Sequence, residues 1–195
     1  MWGSLGPAVR GLLIACIVTF ALELWRPALL EGFALWPLGN GFQPWQIVSY
    51  SLLHGGPLHL AVNMIGLVSF GRELEAWWGT GPFLRFWLAS VVSAALVQLA
   101  VTASAGSVEP TVGASGGLYG LLLGFAMMFP RRRILLLIPP IPMPAWLFVL
   151  LFGALELYLG VSGTATGIAH FAHLGGMLGG FWMLNRWRRR SGAAR

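Results

Sequence analysis

Residues 110–133 read "PTVGASGGLYGLLLGFAMMFPRRR", and the fold turns on this stretch. It opens as a glycine-rich turn, runs on as an apolar helix and stops at Arg131, Arg132 and Arg133. The uncharged run that starts near Ser115 is short of the ~20 residues a helix needs to cross a hydrocarbon core of about 30 Å. Residues 105–114 must therefore dip into the protein to meet it. Non-helical backbone at that depth is tolerated only when buried in protein or lining a water-filled cavity. The hydroxyl of Ser115, set between Gly113 and Gly116, is thus expected at a helix N-terminus, facing a wet pocket inside the membrane.

The rest of the chain supports a membrane setting. Hydrophobic residues make up 57% of the 195 and charged residues 9%, against roughly 25% charged in soluble domains. With a mean hydropathy of +0.76, the composition is that of a polytopic membrane protein. The net charge of +6 does not indicate nucleic acid, because the basic residues cluster at helix ends and form no soluble basic face. Cys16 is the single cysteine, so no intrachain disulfide forms. The first apolar run lacks a small-residue cleavage site and reads as a retained signal-anchor helix.

Six apolar segments emerge, at about 8–25, 57–78, 82–104, 114–129, 145–162 and 168–187, within a single domain over 1–195. All are helical candidates, since only helices or closed barrels satisfy the backbone in lipid and these runs lack strand alternation. The connection 26–56 carries Trp36, Phe42 and Trp45 and reads as an interfacial loop. All twelve basic residues are arginines. If six spans alternate, every one except Arg26 falls on the same side, which the positive-inside rule makes cytoplasmic, with both termini. Arginine without lysine, with abundant alanine, glycine and tryptophan, suggests a bacterial inner membrane.

Depth follows from helical rise. Ser115 lies sixteen residues before Arg131, about 24 Å along a helix. His173 lies thirteen before Arg186 and His59 thirteen before Arg72, about 20 Å each, and Asn63 nine before Arg72, about 14 Å. Ser115, His59 and His173 therefore share a level in the outer half of the bilayer although they sit on three different spans.

A serine hydroxyl becomes a nucleophile when a neighbouring base takes its proton. His173, in "AHLGGMLGG", is the best candidate: Gly175, Gly176, Gly179 and Gly180 can pack against Gly116, Gly120 and Gly124 of the fourth span. His170 is the alternative base. Tyr119, one turn beyond Ser115, shares its face and can buttress the ring. The backbone N–H groups at the helix start suit a developing oxyanion. His59 and Asn63, four apart on one face, can add side-chain donors. No Asp is placed to orient His173, so a two-residue arrangement is expected. Glu156 in the fifth span lacks an assignable partner, and His54 is expected as a structural residue at the water interface.

Each motif has a plainer reading. Gly and Ser are common packing residues in membrane helices, and the G-x-S-x-G elbow of soluble hydrolases needs a preceding strand that is missing here. Two other classes use the same residues: a metal or haem protein with His59 and His173 as ligands, and a proton-coupled transporter using Glu156 and the histidines. The first has no need of Ser115 in a glycine turn.

"HGGPLHLAVNM", "GASGGLYG" and "AHFAHLGGMLGG", in that order on the second, fourth and sixth spans, resemble the rhomboid intramembrane serine proteases. The resemblance covers the chain from Arg10 to Arg186. It implies an all-α, polytopic, six-transmembrane-helix bundle. It implies Ser115 as nucleophile and His173 as general base, with an oxyanion hole of His59, Asn63 and the Ser115 N–H. Tyr119, Gly113 and Gly116 would support them. Glu75, with Gly71 and Gly79, resembles a structural element of the family; Gln46 stands after Trp45 where the family often has Arg. The implied activity is peptide-bond hydrolysis in or beside transmembrane segments of protein substrates, which enter past the fifth span, without metal or organic cofactor. The implied alternative is an inactive relative that binds membrane clients.

Overall fold

The computed structural model describes residues 5–135, 140–163 and 169–192, so the expected start of the sixth span at Ile168, and Arg195, lie outside the described residues. Helix α1 spans Pro7–Trp25, α2 Ala28–Phe33, α3 Gln46–Ser49, α4 Pro57–Gly66, α5 Arg72–Trp78, α6 Thr80–Ala105, α7 Ser115–Met128, α8 Ala145–Ser162 and α9 His170–Gly192. A π-helical turn, Leu67–Gly71, joins α4 to α5, so residues 57–78 form one long helix. Proline opens α1 and α4, where its missing N–H is no loss and its fixed φ is already helical.

Three helices, α1, α6 and α8, are long and apolar enough to cross a membrane, and a fourth counts if Gln46–Leu52 and Pro57–Trp78, bent by 98°, are one broken span. Helix α7 is too short at 14 residues, and α9 is diluted by histidines, glycines and arginines. Burial explains why α9 does without a fully oily sequence. Helix α9 packs chiefly on α6 and α7, and its inward glycines touch backbone rather than lipid. Helix α8 is the opposite case: only 17% of its apolar window is buried, against 44% for α6. Leu150, Tyr158 and Val161 on α8, and Ile14, Val18 and Leu24 on α1, are exposed apolar surface suited to lipid.

The connection 26–56 is more ordered than an interfacial loop. It contains α2, α3 and a 3-10 turn at Tyr50–Leu52. Gln46 is buried and organises it: its Oε1 accepts from the Trp36 and Gln43 N–H groups, and its Nε2 donates to the Gly32 carbonyl. A neutral amide that both donates and accepts does here what a guanidinium, with donors only, could not. A second departure is a two-stranded antiparallel ribbon after α7, β1 at Arg133–Leu135 and β2 at Pro142–Pro144, which pairs Ile134 with Met143.

Glu75 fastens the first helix to the bundle. Its Oε1 accepts from the Ala8 N–H at 2.8 Å and the Thr80 hydroxyl at 2.8 Å, and its Oε2 accepts from the Val9 N–H at 2.9 Å. The carboxylate thus caps the N-terminus of α1 from α5, satisfying buried donors at the positive end of the helix dipole. Glu75→Ala strands those donors and is expected to cost about 2–4 kcal/mol. Thermal unfolding in detergent would register this as a lower Tm; an unchanged Tm would remove the cap from the stabilising contacts.

Candidate active site

The segment that leads down to Ser115 is pinned to the loop beside it. Leu35 and Thr111 exchange both backbone hydrogen bonds at 2.9 Å, and the Gln98 amide donates to the Thr111 hydroxyl at 3.2 Å. The Gly113 N–H donates to the Tyr50 carbonyl at 2.9 Å, while the Tyr50 hydroxyl donates to Val91 on α6. The descending backbone is therefore paired within protein, as its depth requires. Gly113 has φ +127, a conformation that disfavours any side chain, and a Cβ there would lie 2.8 Å from the His59 ring. Helix α7 starts at Ser115 with Ala114 at the N-cap and no side-chain cap, so its first N–H groups meet no capping side chain.

Gly116 is the contact that lets α9 approach. A Cβ on Gly176 would run into the Gly116 carbonyl oxygen, and one on Gly180 would come within 3.1 Å of the Gly120 oxygen. Gly175 and Gly179 instead face Ala94, Ser93 and Ala89 of α6. The four glycines of α9 thus serve two interfaces, not one. At this separation His173 Nε2 lies 2.8 Å from Ser115 Oγ, across 58 positions of sequence. The Tyr119 ring stacks on His173 with centroids 4.2 Å apart and planes 7° from parallel. His173 is 8% exposed and Ser115 only partly so. Concave surface also lies along the outer face of α8, lined by Ala154, Leu157 and Tyr158, and beside Glu75.

His59 and Asn63 occupy one face of α4. The His59 ring lies over Gly113, next to Ser115. The Asn63 amide donates to the His59 carbonyl at 2.8 Å, while its Oδ1 is buried without a partner. Behind them His54 is almost fully buried. Its Nδ1 faces the Leu52 carbonyl at 3.2 Å and its backbone N–H faces the Glu23 carboxylate. Burial, then the neighbouring His59, pushes the His54 ring down to about 4, so it stays neutral near pH 7.

Glu156 is what the sequence reading left without a partner. It is buried, its Oε1 accepts from the Tyr119 hydroxyl, and its Oε2 lies 2.6 Å from His170 Nδ1 and 2.9 Å from His173 Nδ1. The first of these ring contacts is an aligned hydrogen bond. The second is at ion-pair distance but off the N–H axis, so His173 Nδ1 has no aligned acceptor. His170 turns toward Glu156, whereas His173 turns toward Ser115. The available signal was that Glu156 is the lone charge in α8, since an ionisable group in a span needs a partner. Its partners lie on two other helices, beyond the reach of spacing rules. Ligating atoms of Glu156, His170 and His173 lie within 4.8 Å of one another, a set able to hold a cation in principle; His59 is not part of it.

A serine at the head of a short buried helix thus meets a histidine of the neighbouring long helix inside an apolar helical bundle. The chain matches the Rhomboid domain family over residues 41–189 and belongs to the rhomboid family. It is 33% identical over 143 residues to Rhomboid protein 1, mitochondrial, of Saccharomyces cerevisiae, covering 69% of this chain and 39% of that protein. It is 29% identical over 140 residues to Rhomboid protease GluP of Bacillus subtilis, covering 71% and 25%. RHOMBOID-like protein 4 of Arabidopsis thaliana is 32% identical over 150 residues, covering 73% and 34%. The chain spans about a quarter to two fifths of the length of these relatives. It is an integral membrane protein with a polytopic helical fold. The relatives carry mitochondrial, plant and bacterial names and give no support to the bacterial inner membrane expected from composition.

Proposed function

We propose that the chain is an intramembrane serine protease that cleaves peptide bonds in or beside transmembrane segments of other membrane proteins. The observation that carries this reading is the 2.8 Å contact between Ser115 Oγ and His173 Nε2, made by two helices inside an apolar bundle. In this reading Ser115 Oγ attacks the scissile carbonyl carbon as its proton passes to His173 Nε2. The tetrahedral oxyanion is met by the uncapped N–H groups of α7, by the His59 ring and by the second Asn63 amide proton. Collapse breaks the C–N bond, and Nε2 returns its proton to the leaving amine. Water, deprotonated by the same nitrogen, then releases the acyl group from Ser115.

The membrane arrangement belongs to the same proposal. Six crossings would put Arg72, Arg85, the Arg131–Arg133 run after α7 and the arginine-rich end of α9 on the cytoplasmic side with both termini, and Ser115 below the outer surface. Helix α8, the most lipid-exposed, is the flank past which a substrate helix would enter. No metal or organic cofactor takes part.

A fluorophosphonate probe tests the nucleophile directly. Added to the purified protein, it should modify one residue, mapped by mass spectrometry to Ser115, and the adduct should fall sharply in His173→Ala. A folded protein that takes no label would favour the client-binding alternative, in which the chain holds a membrane helix without cutting it.

A further inference from the structure

The serine–histidine contact leaves a question at the other side of the ring. For Nε2 to accept the Ser115 proton, neutral His173 must carry its own proton on Nδ1, and a ring tautomer is set by what that second nitrogen meets. What it meets is Glu156 Oε2 at 2.9 Å. We propose that Glu156 is a positioning residue of the reaction: tied down by His170 and Tyr119, its carboxylate holds His173 with the proton on Nδ1 and balances the charge the ring gains when Ser115 gives up its proton. The proposal rests on the protease reading above and adds a third member to its two-residue centre.

Three features of the geometry carry it. First, a carboxylate buried in a bundle of apolar helices is costly unless fully satisfied, and here three groups converge on it from two other helices. Second, the anchoring is separate from the function. The aligned His170 hydrogen bond and the Tyr119 hydroxyl fix the carboxylate, while Tyr119 also stacks flat on the His173 ring. The ring and its counter-charge are thereby clamped by one side chain. Third, Oε2 sits off the His173 N–H axis, so the attraction is mainly coulombic. Such a contact strengthens as the ring becomes an imidazolium, which makes it stronger in the transition state than in the resting enzyme.

The other groups around the ring do not offer this balance. His59 stands near on α4, beside Gly113, Tyr119 stacks on it from α7, and His170 lies edge-on from its own helix with ring centroids 6.4 Å apart. Helix α6 presents small side chains to α9. Among the described residues, Glu156 is the acidic group at His173. A metal ion held by Glu156, His170 and His173 would need the lone pair of Nδ1 instead of its proton, the reverse of what the serine contact requires.

The test uses the full-length protein in proteoliposomes with a model transmembrane substrate, and 15N-histidine NMR in detergent. Glu156→Gln, with its Tm near that of the wild type, should lower kcat on the order of 10²- to 10³-fold with KM little changed. The acid limb of kcat/KM should move to lower pH, because the imidazolium has lost its counter-charge. The His173 nitrogen shifts should change from a single Nδ1–H tautomer to a mixture, and Glu156→Asp should recover part of the rate. A merely structural role would leave tautomer and acid limb unchanged in the folded fraction. Wild-type kcat and tautomer in Glu156→Gln would overturn the proposal, as would cleavage that rises on adding a chelator, which would assign the three groups to a metal. If the Gln variant fails to fold, the wild-type spectrum decides: a neutral His173 that carries its proton on Nε2 overturns the proposal. Cleavage by Ser115→Ala would instead defeat the protease reading, with the tautomer measurement still standing on its own.

Discussion

Ser115→Ala should leave a model transmembrane substrate uncut over an incubation in which the wild type digests it completely, a loss of about 10⁵-fold or more in kcat. Deleting the hydroxyl removes the only atom in the reading that bonds covalently to the acyl group, and leaves oxyanion donors with nothing to stabilise. His173→Ala should fall nearly as far, since an alcohol without a base at 2.8 Å is a weak nucleophile. The double variant should be no slower than either single one, because groups acting as a unit are not additive. Both side chains point into the helix interface and not into its supporting backbone contacts, so folding should survive, which Tm in detergent would check. His170→Ala provides the contrast: its ring faces Glu156, so some cleavage should remain. Full activity in His173→Ala with none in His170→Ala would move the base, and undiminished cleavage by Ser115→Ala would end the protease reading.

Gly176→Ala is expected to be the most damaging glycine-to-alanine change among the described residues. The added Cβ would overlap the Gly116 carbonyl oxygen, which is backbone and cannot swing aside as a side chain can. Helices α7 and α9 must separate, one residue from the nucleophile on one side and three from the base on the other. Overpacking of this kind costs about 1–3 kcal/mol. The rate should suffer more than the stability, since a displacement of about 1 Å between reacting groups costs on the order of 10²-fold. Gly153→Ala is the matched control, where the new methyl meets Met177 Sδ at 3.6 Å, an ordinary contact. The measurement is kcat beside Tm for both variants. Gly176→Ala cleaving at the wild-type rate would show that the glycine contact does not set the Ser115–His173 distance.

The periodicity of apolar runs and the placement of arginines were enough to locate the long helices. Those signals are local: a span must be apolar over its own length, and an arginine marks the end it follows. The sequence also located the start of α7, because a short uncharged run after a glycine turn has few ways to satisfy its backbone in a membrane. What it missed was burial by segments distant in the chain. His54 was expected as a structural residue at the water interface, and its burial beside Glu23 of α1 was not legible in its own stretch of chain. Residues 26–56 looked irregular because their prolines and glycines hide two short helices that are held by tertiary contacts such as those of Gln46.

The sequence by itself determined the rhomboid class, the helices and which serine and histidines were worth watching, since each depends on patterns within about twenty residues of chain. Tertiary structure alone decided that His173 and not His170 meets Ser115, that the glycines of α9 divide between α6 and α7, and that Glu156 closes on both histidines. The physical reason is that a buried polar group is satisfied by whatever the packing of other helices brings to it. Rotations of α8 and α9 about their own axes choose those partners, and no spacing along one chain segment encodes the rotation of another.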